Sequence, residues 1–311
     1  MRKLKRKNKK NSKVEKILIS IISVLIVILI GVIALNINKG RTSEVSVNQN
    51  QKEDNNEIKS NINEEKSNEK ESDSVIYTSY ENDINADNAR DIENMLNKWS
   101  YLREDGKKIA YLTFDDGPSV ETTPKILETL RKNNIKATFF VLGSNVEKSD
   151  TQKELLKEMV KEGHAIGNHG YCHDYSILYP GRVADTTVFI NDMEKSENVM
   201  KSVLGDSFST KVIRFPGGHM SWKTGDLDKV LEQDGYTYID WNVLNGDAES
   251  NGRTVEQLIN RLKETVTDLA GNDDVLVILM HDTDAKVTTA ESLQQSIDYL
   301  KSLGYEFRTL K

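Results

Sequence analysis

The sequence predicts an α/β domain built on a parallel sheet, closed or open, preceded by one transmembrane helix and a disordered linker. Three observations carry this. From Ile109 onward, short apolar runs alternate with amphipathic stretches for about 200 residues, the pattern of repeated strand-helix units. Ile17 to Leu35 is nineteen residues without a charge. Between the two regions lies a polar stretch with no sustained apolar period.

Met1 to Lys16 carries nine Lys and Arg against one Glu and runs directly into the uncharged segment. A helix of nineteen residues spans roughly 28 Å, close to the hydrocarbon thickness of a bilayer. Only Ser20, Ser23 and Gly31 interrupt it, so it lacks the polar face of a core helix. Val32-Ile33-Ala34 resembles a small-residue cleavage site, which makes a cleaved signal peptide the competing reading; the length of the apolar run favours an anchor. The basic flank then stays in the cytoplasm, and everything after Leu35 lies outside.

Asn36 to Ser74 contains six basic and nine acidic side chains and no aromatic residue. Such a segment buries too little apolar surface to offset chain entropy, so it reads as an extracellular tether with a root-mean-square reach of roughly 35 Å. Residues 75–106 form a lead-in with a helix around Asn88 to Trp99. All four Pro, all three Trp and all five His lie beyond Ser74.

In the globular part, strands are expected at Ile109–Phe114, Ala137–Leu142, Ala165–Asn168, Val212–Phe215, Tyr236–Asp240, Val275–Met280 and near Phe307. Helices are expected at Pro124–Asn133, Lys153–Glu162, Asp185–Leu204, Asp226–Gln233, Val255–Ala270 and Ala290–Leu303. Thr254 with Gln257 and Thr288 with Glu291 have capping-box spacing, and Pro124 stands near a first helical position. The net charge of −7 argues against a nucleic-acid binder that relies on a basic surface. A single Cys, Cys172, excludes a disulfide framework and a multi-cysteine zinc site within one chain.

Titratable residues recur just after the expected strands, where barrel active sites assemble. Thr113-Phe114-Asp115-Asp116-Gly117-Pro118 places two carboxylates at a strand end before a tight turn, so that one can bind a metal while the other stays free as a base. Asn168-His169-Gly170-Tyr171-Cys172-His173 contains H-x-x-x-H, a spacing that puts both imidazoles on one face of a helical turn. With Asp116 they make two His and one carboxylate, a set suited to zinc or another divalent metal with open positions.

With these two motifs, three more in order make the chain closely resemble the polysaccharide deacetylases of the NodB-homology group, carbohydrate esterase family four. Arg214-Phe215-Pro216-Gly217-Gly218 fits the third motif, Asp240-Trp241 through Asp247 the fourth, and Leu279-Met280-His281-Asp282 the fifth. The resemblance runs from Lys107 to the C-terminus and implies a distorted barrel of seven or eight β/α units. It implies that Asp116, His169 and His173 hold the metal, zinc first, with cobalt, nickel or manganese as alternatives. It makes Asp115 the general base, oriented by Arg214, and His281 the general acid. The backbone N–H of Gly217 would stabilise the oxyanion, and Leu279 would line the acetyl pocket. Either Asp240 or Asp247 would partner His281, and the spacing to Trp241 favours Asp247.

Departures from the family pattern are Gly170 where Ser or Thr is usual, which removes a loop hydrogen bond, and Cys172 where Ser is common. Ala248 stands where a Trp often lines the acetyl pocket, a wall that Trp241 would have to supply. The expectation is a membrane-anchored, extracellular, metal-dependent N-deacetylase acting on cell-wall glycan, peptidoglycan first, with no nucleic-acid ligand and no obligate protein partner implied. Alternatives are an O-acetyl esterase of the xylan type, a deacetylase of chitin-like or poly-N-acetylglucosamine polymer, and a non-catalytic wall-binding protein.

Overall fold

The computed structural model describes Tyr77 and residues 82–311, Asn272 excepted. The expected membrane helix at 17–35, the linker at 36–74 and most of the first part of the lead-in lie outside the described residues.

Ten strands are present among the described residues. Of these, β2 (Ile109–Asp115), β3 (Thr138–Val141), β4 (Ala165–Asn168), β5 (Val212–Ile213), β6 (Thr237–Tyr238), β7 (Val243–Leu244), β8 (Val275–His281) and β9 (Glu306–Phe307) form one sheet. Its order is β6-β5-β4-β3-β2-β8-β7, with β9 beside the start of β2, and every pairing is parallel. The centre is the β2–β8 ladder, in register from Ile109 opposite Val275 to Asp115 opposite His281. All seven residues of β2 are buried, as expected of a parallel strand covered on both faces.

The principal helices are α2 (Thr122–Asn133), α4 (Asp150–Lys161), α6 (Thr186–Leu204), α7 (Asp226–Gln233), α8 (Val255–Asp268) and α9 (Val287–Ser302). Two single turns, α3 (Gly143–Val146) and α5 (Tyr175–Leu178), were not anticipated. Leu112, Phe114, Phe139 and Ile278 pack from the sheet against Leu130, Leu156, Leu262 and Leu293 of the helices. The alternate residues of the same strands, Tyr111, Phe140 and Val277, face the other way. They pack with Ile92 and Leu96 of α1 (Ala89–Lys98). Each of those two apolar side chains contributes roughly 1.5–3 kcal/mol on full burial, so the lead-in helix belongs to the packed body.

The sheet curls but does not close. Its end strands β6 and β7 are not paired with each other, and the link between them, Ile239 to Asn242, is too short to carry a crossover helix. The barrel of seven or eight units is therefore an open parallel half-barrel. At the helix starts, the capping box of Thr254 and Gln257 is present. Thr288 and Glu291 instead lie inside α9, which begins at Val287 directly after a single 3-10 turn, Asp284–Lys286.

β1 (Ala86–Asp87) and β10 (Thr309–Leu310) make a separate parallel pair. The Leu310 N–H donates to Thr138 at the start of β3 and the Arg308 N–H to the carbonyl of Ala110 near the start of β2. This pair therefore sits at the N-terminal ends of the central strands.

Candidate active site and metal centre

Asp115 and His281 are the last residues of the two central strands. Asn168 ends β4, Arg214 follows β5, and Asp247 lies three residues beyond β7. The C-terminal rim of the sheet thus collects the polar residues, as in barrel enzymes.

Asp116, His169 and His173 converge: one candidate ligand atom from each lies within 4.8 Å of the other two. Asp116 Oδ1 is 3.4 Å from His169 Nε2 and 3.5 Å from His173 Nε2, and it is buried without a hydrogen-bond partner. A buried carboxylate oxygen facing two imidazole nitrogens fits a divalent cation of the kind bound by two His and one carboxylate. Among the described residues this is the one such cluster. The ring tautomer agrees. His169 Nδ1 is 2.8 Å from the carbonyl oxygen of Arg214, which can only accept, so Nδ1 carries a proton and Nε2 is the nitrogen turned to the cluster. Burial opposes the charge on Asp116, but His173 and the His169 contact hold its carboxyl well below the usual carboxylate range.

The route to this convergence differs from the expected one. Residues 169–173 form a loop, not a helical turn, and Gly170 and His173 both adopt left-handed backbone, with φ of 83° and 49°. The two imidazoles meet because the loop folds back.

Asp115 divides its two oxygens. Oδ1 accepts from Arg214 Nη1 at 2.8 Å, while Oδ2 lies 3.8 Å from His169 Nε2, beside the candidate metal position. Arg214 is fully buried. Its Nη1 also donates to the Thr113 hydroxyl at 2.7 Å, its Nε to the carbonyl of Ile239 at 2.7 Å, and its guanidinium lies over the Phe140 ring.

The two aspartates weighed as partners of His281 separate cleanly. Asp247 Oδ1 accepts from His281 Nδ1 at 2.8 Å and Oδ2 accepts the His281 backbone N–H at 2.8 Å. Asp240 instead accepts the backbone N–H of His219 at 2.9 Å in the turn after the third motif. Burial works against a charge on His281, but Asp247, joined by Asp116 and Asp115, outweighs it and raises the imidazole to about 9. Asp282, fully buried beside it, is pushed up to about 7, chiefly by burial.

The predicted substrate-side residues surround the same mouth. Leu279 lies two residues before His281 on β8, hence on the same face of the strand. Gly217 has φ 80°, and a Cβ there would come within 3.1 Å of the Tyr175 hydroxyl and the Trp222 ring. Trp241 lies against Gly218, where a Cβ would meet its ring at 2.7 Å. Trp222 is stacked on Tyr179, with centroids 4.1 Å apart, and His219 on Tyr238 at 4.0 Å, so neither is a free loop side chain.

Several residues of the site escape sequence reasoning. Thr289, from α9, donates to Asp247 Oδ2 at 2.8 Å and fixes the carboxylate that holds His281. Asp192, from α6, accepts backbone N–H groups of the 169–173 loop. Tyr175 lies against His173 with the rings tilted, centroids 5.2 Å apart. Only Tyr175 is near a motif in sequence; the other two arrive from helices, and nothing in linear spacing announces them.

A family model described as polysaccharide deacetylase matches residues 103–239. A peptidoglycan-N-acetylglucosamine deacetylase of Bacillus cereus is 32% identical over 214 residues, 68% of this chain and 73% of that protein. The peptidoglycan-N-acetylglucosamine deacetylase PgdA of Listeria monocytogenes is 35% identical over 206 residues, 66% of this chain but 38% of that longer protein. Among solved structures, a Streptococcus mutans CE4 esterase superposes with a TM-score of 0.66 at 39% identity, covering 73% of this chain and 92% of that one.

Proposed function

This chain belongs to the polysaccharide deacetylase family, whose members are hydrolases, and from that premise and the site geometry we propose that it removes N-acetyl groups from cell-wall peptidoglycan. The observation that carries the reading is the division of Asp115, with one oxygen held by Arg214 and the other turned toward the Asp116, His169 and His173 cluster. A scaffold that merely bound glycan would have no need of a carboxylate so held or of a second polar pair at His281.

Asp116, His169 and His173 would hold one divalent cation, zinc first, with cobalt, nickel or manganese as alternatives. When bound, it supplies a Lewis acid that polarises the acetyl carbonyl and acidifies water at neutral pH. Asp115 Oδ2 accepts a proton as the water oxygen attacks the acetyl carbon, while Arg214 keeps the carboxylate in place. The Gly217 N–H would stabilise the oxygen that gains negative charge. His281, protonated and held at Nδ1 by Asp247, gives its Nε2 proton to the departing amine as the C–N bond breaks. Acetate and a glucosamine residue result. Leu279 and Trp241 would wall the acetyl group.

The basic start, the uncharged segment at 17–35 and the linker at 36–74 support a location outside the membrane for residues 107–311, the proposed catalytic unit. Peptidoglycan as substrate draws on that location and on the two named relatives. The test is acetate release by the purified chain, loaded with zinc or cobalt, from peptidoglycan, chitooligosaccharide and acetylxylan. Release from peptidoglycan above the other two is expected; release from acetylxylan alone would establish an O-acetyl esterase instead, and no release with metal bound would leave a binding protein.

A further inference from the structure

The loop that carries His173 departs from the family pattern at its most constrained point. Gly170 stands where a hydroxyl side chain is usual, so the sequence alone leaves this loop short of one hydrogen bond. Yet the loop is not slack. Within four residues it contains two left-handed backbone positions, Gly170 at φ 83° and His173 at φ 49°. The second is strained for a non-glycine residue and persists only where the surroundings impose it.

Asp192 supplies the constraint. It projects from α6, and its Oδ2 accepts the Tyr171 N–H at 2.7 Å while Oδ1 accepts the Cys172 N–H at 3.1 Å. Two successive backbone N–H groups turned toward one carboxylate form a small anion-binding concavity, here filled from within the chain. The same carboxylate explains the glycine. A Cβ at position 170 would lie 2.5 Å from Asp192 Oδ2, so a side chain at 170 would push this carboxylate from its place. The base of the loop is tied separately, by Asn168 Oδ1 accepting the Gly170 N–H at 2.9 Å. Asp192 takes the backbone N–H groups of the two residues that immediately precede His173, while the Tyr171 side chain is held separately, by its hydroxyl on Glu147 and by Lys195 over its ring.

We propose that Asp192 is the positioning residue of this loop: by accepting the N–H groups of Tyr171 and Cys172, it holds His173 where its Nε2 meets Asp116 and His169. Asp192 touches neither substrate nor metal; it acts through the backbone. The inference rests on the reading that Asp116, His169 and His173 bind a divalent cation, and its test therefore begins with that binding.

The experiment titrates the full-length chain with cobalt(II) alone, followed by visible absorption, with circular dichroism of each apo variant as a control for folding. Asp192→Ala removes both acceptors, Asp192→Asn keeps one, and Asp185→Asn alters the N-cap of the same helix, where Asp185 accepts the Val188 N–H. The expected order of cobalt affinity is wild type, then Asp192→Asn, then Asp192→Ala, the last lower on the order of tenfold or more, with Asp185→Asn within twofold of wild type. Gly170→Ala is expected to weaken binding by displacing the carboxylate, and to cost less once Asp192 is already Ala, a coupling that a double-mutant cycle reads directly. Equal affinity of Asp192→Ala and wild type would overturn the proposal while leaving the metal reading intact, as would an equal loss from Asp185→Asn. A wild type that binds no cobalt would overturn both.

Discussion

Arg214 and Asp115 form an ion pair, 2.8 Å from Nη1 to Oδ1, in which neither side chain has appreciable contact with solvent. Removing both charges from water is costly, and the pair repays it only because Thr113 and the Ile239 carbonyl satisfy further guanidinium donors and the Phe140 ring covers the cation. The arrangement fixes one Asp115 oxygen and leaves the other for chemistry.

Arg214→Met is accordingly expected to destabilise the protein by roughly 3–5 kcal/mol, because Asp115 would remain buried without its partner. Denaturant midpoints of the two proteins measure this. A midpoint equal to wild type would show that Asp115 left alone relaxes toward water.

Asp115→Asn keeps the shape and removes the base. Acetate release should fall by about 100-fold or more while cobalt affinity stays within a few fold of wild type. Equal acetate release would reassign the base.

His281 should titrate near 9 in the metal-free protein, against an ordinary value of 6.5, because Asp247, with smaller contributions from Asp116 and Asp115, outweighs the effect of burial. Its contribution to stability is then fully present below about pH 6.5 and is lost as pH rises through about 9. Asp247→Asn should lower the His281 value and flatten that part of the stability profile, while Asp240→Asn should leave it in place. Following the His281 ring protons by NMR from about pH 6 to about pH 10 separates the two aspartates.

At Gly117 a Cβ would collide with the Asp282 carboxylate, which is fully buried and hydrogen-bonded to Thr123 at 2.6 Å. Gly117→Ala should cost about 1–3 kcal/mol or more of stability and shift the adjacent Asp115 and Asp116. A thermal unfolding curve unchanged from wild type would contradict this packing.

How far the sequence could be read depended on range. The strand-helix alternation was plain because β2 and β8 are long apolar runs, and the five motifs drew attention to the correct strand ends. What failed was either too short or too distant. β7 is two residues, below any periodic signal, and it ends the sheet, so the sequence left open whether the sheet closes. The spacing of His169 and His173 suggested a helix because four residues also make one turn; two left-handed positions produce the same convergence by another path. Thr288 mimicked a cap, whereas the neighbouring Thr289 is bound to Asp247 across 42 residues. Asp192 was invisible because a carboxylate taking backbone N–H groups leaves no pattern in its own surroundings.

The pairing of β1 with β10 fixes where the chain enters and leaves this domain. Both ends meet beneath the starts of β2 and β3, whereas Asp115, Arg214 and His281 open at the finishes of the strands. A support, label or fusion joined through either end of the domain would thus hold it by its base and leave the mouth unobstructed. Shortening the C-terminus by three residues would instead pull away the strand that secures Ala86 and Asp87, loosening the entrance of the chain from the exit.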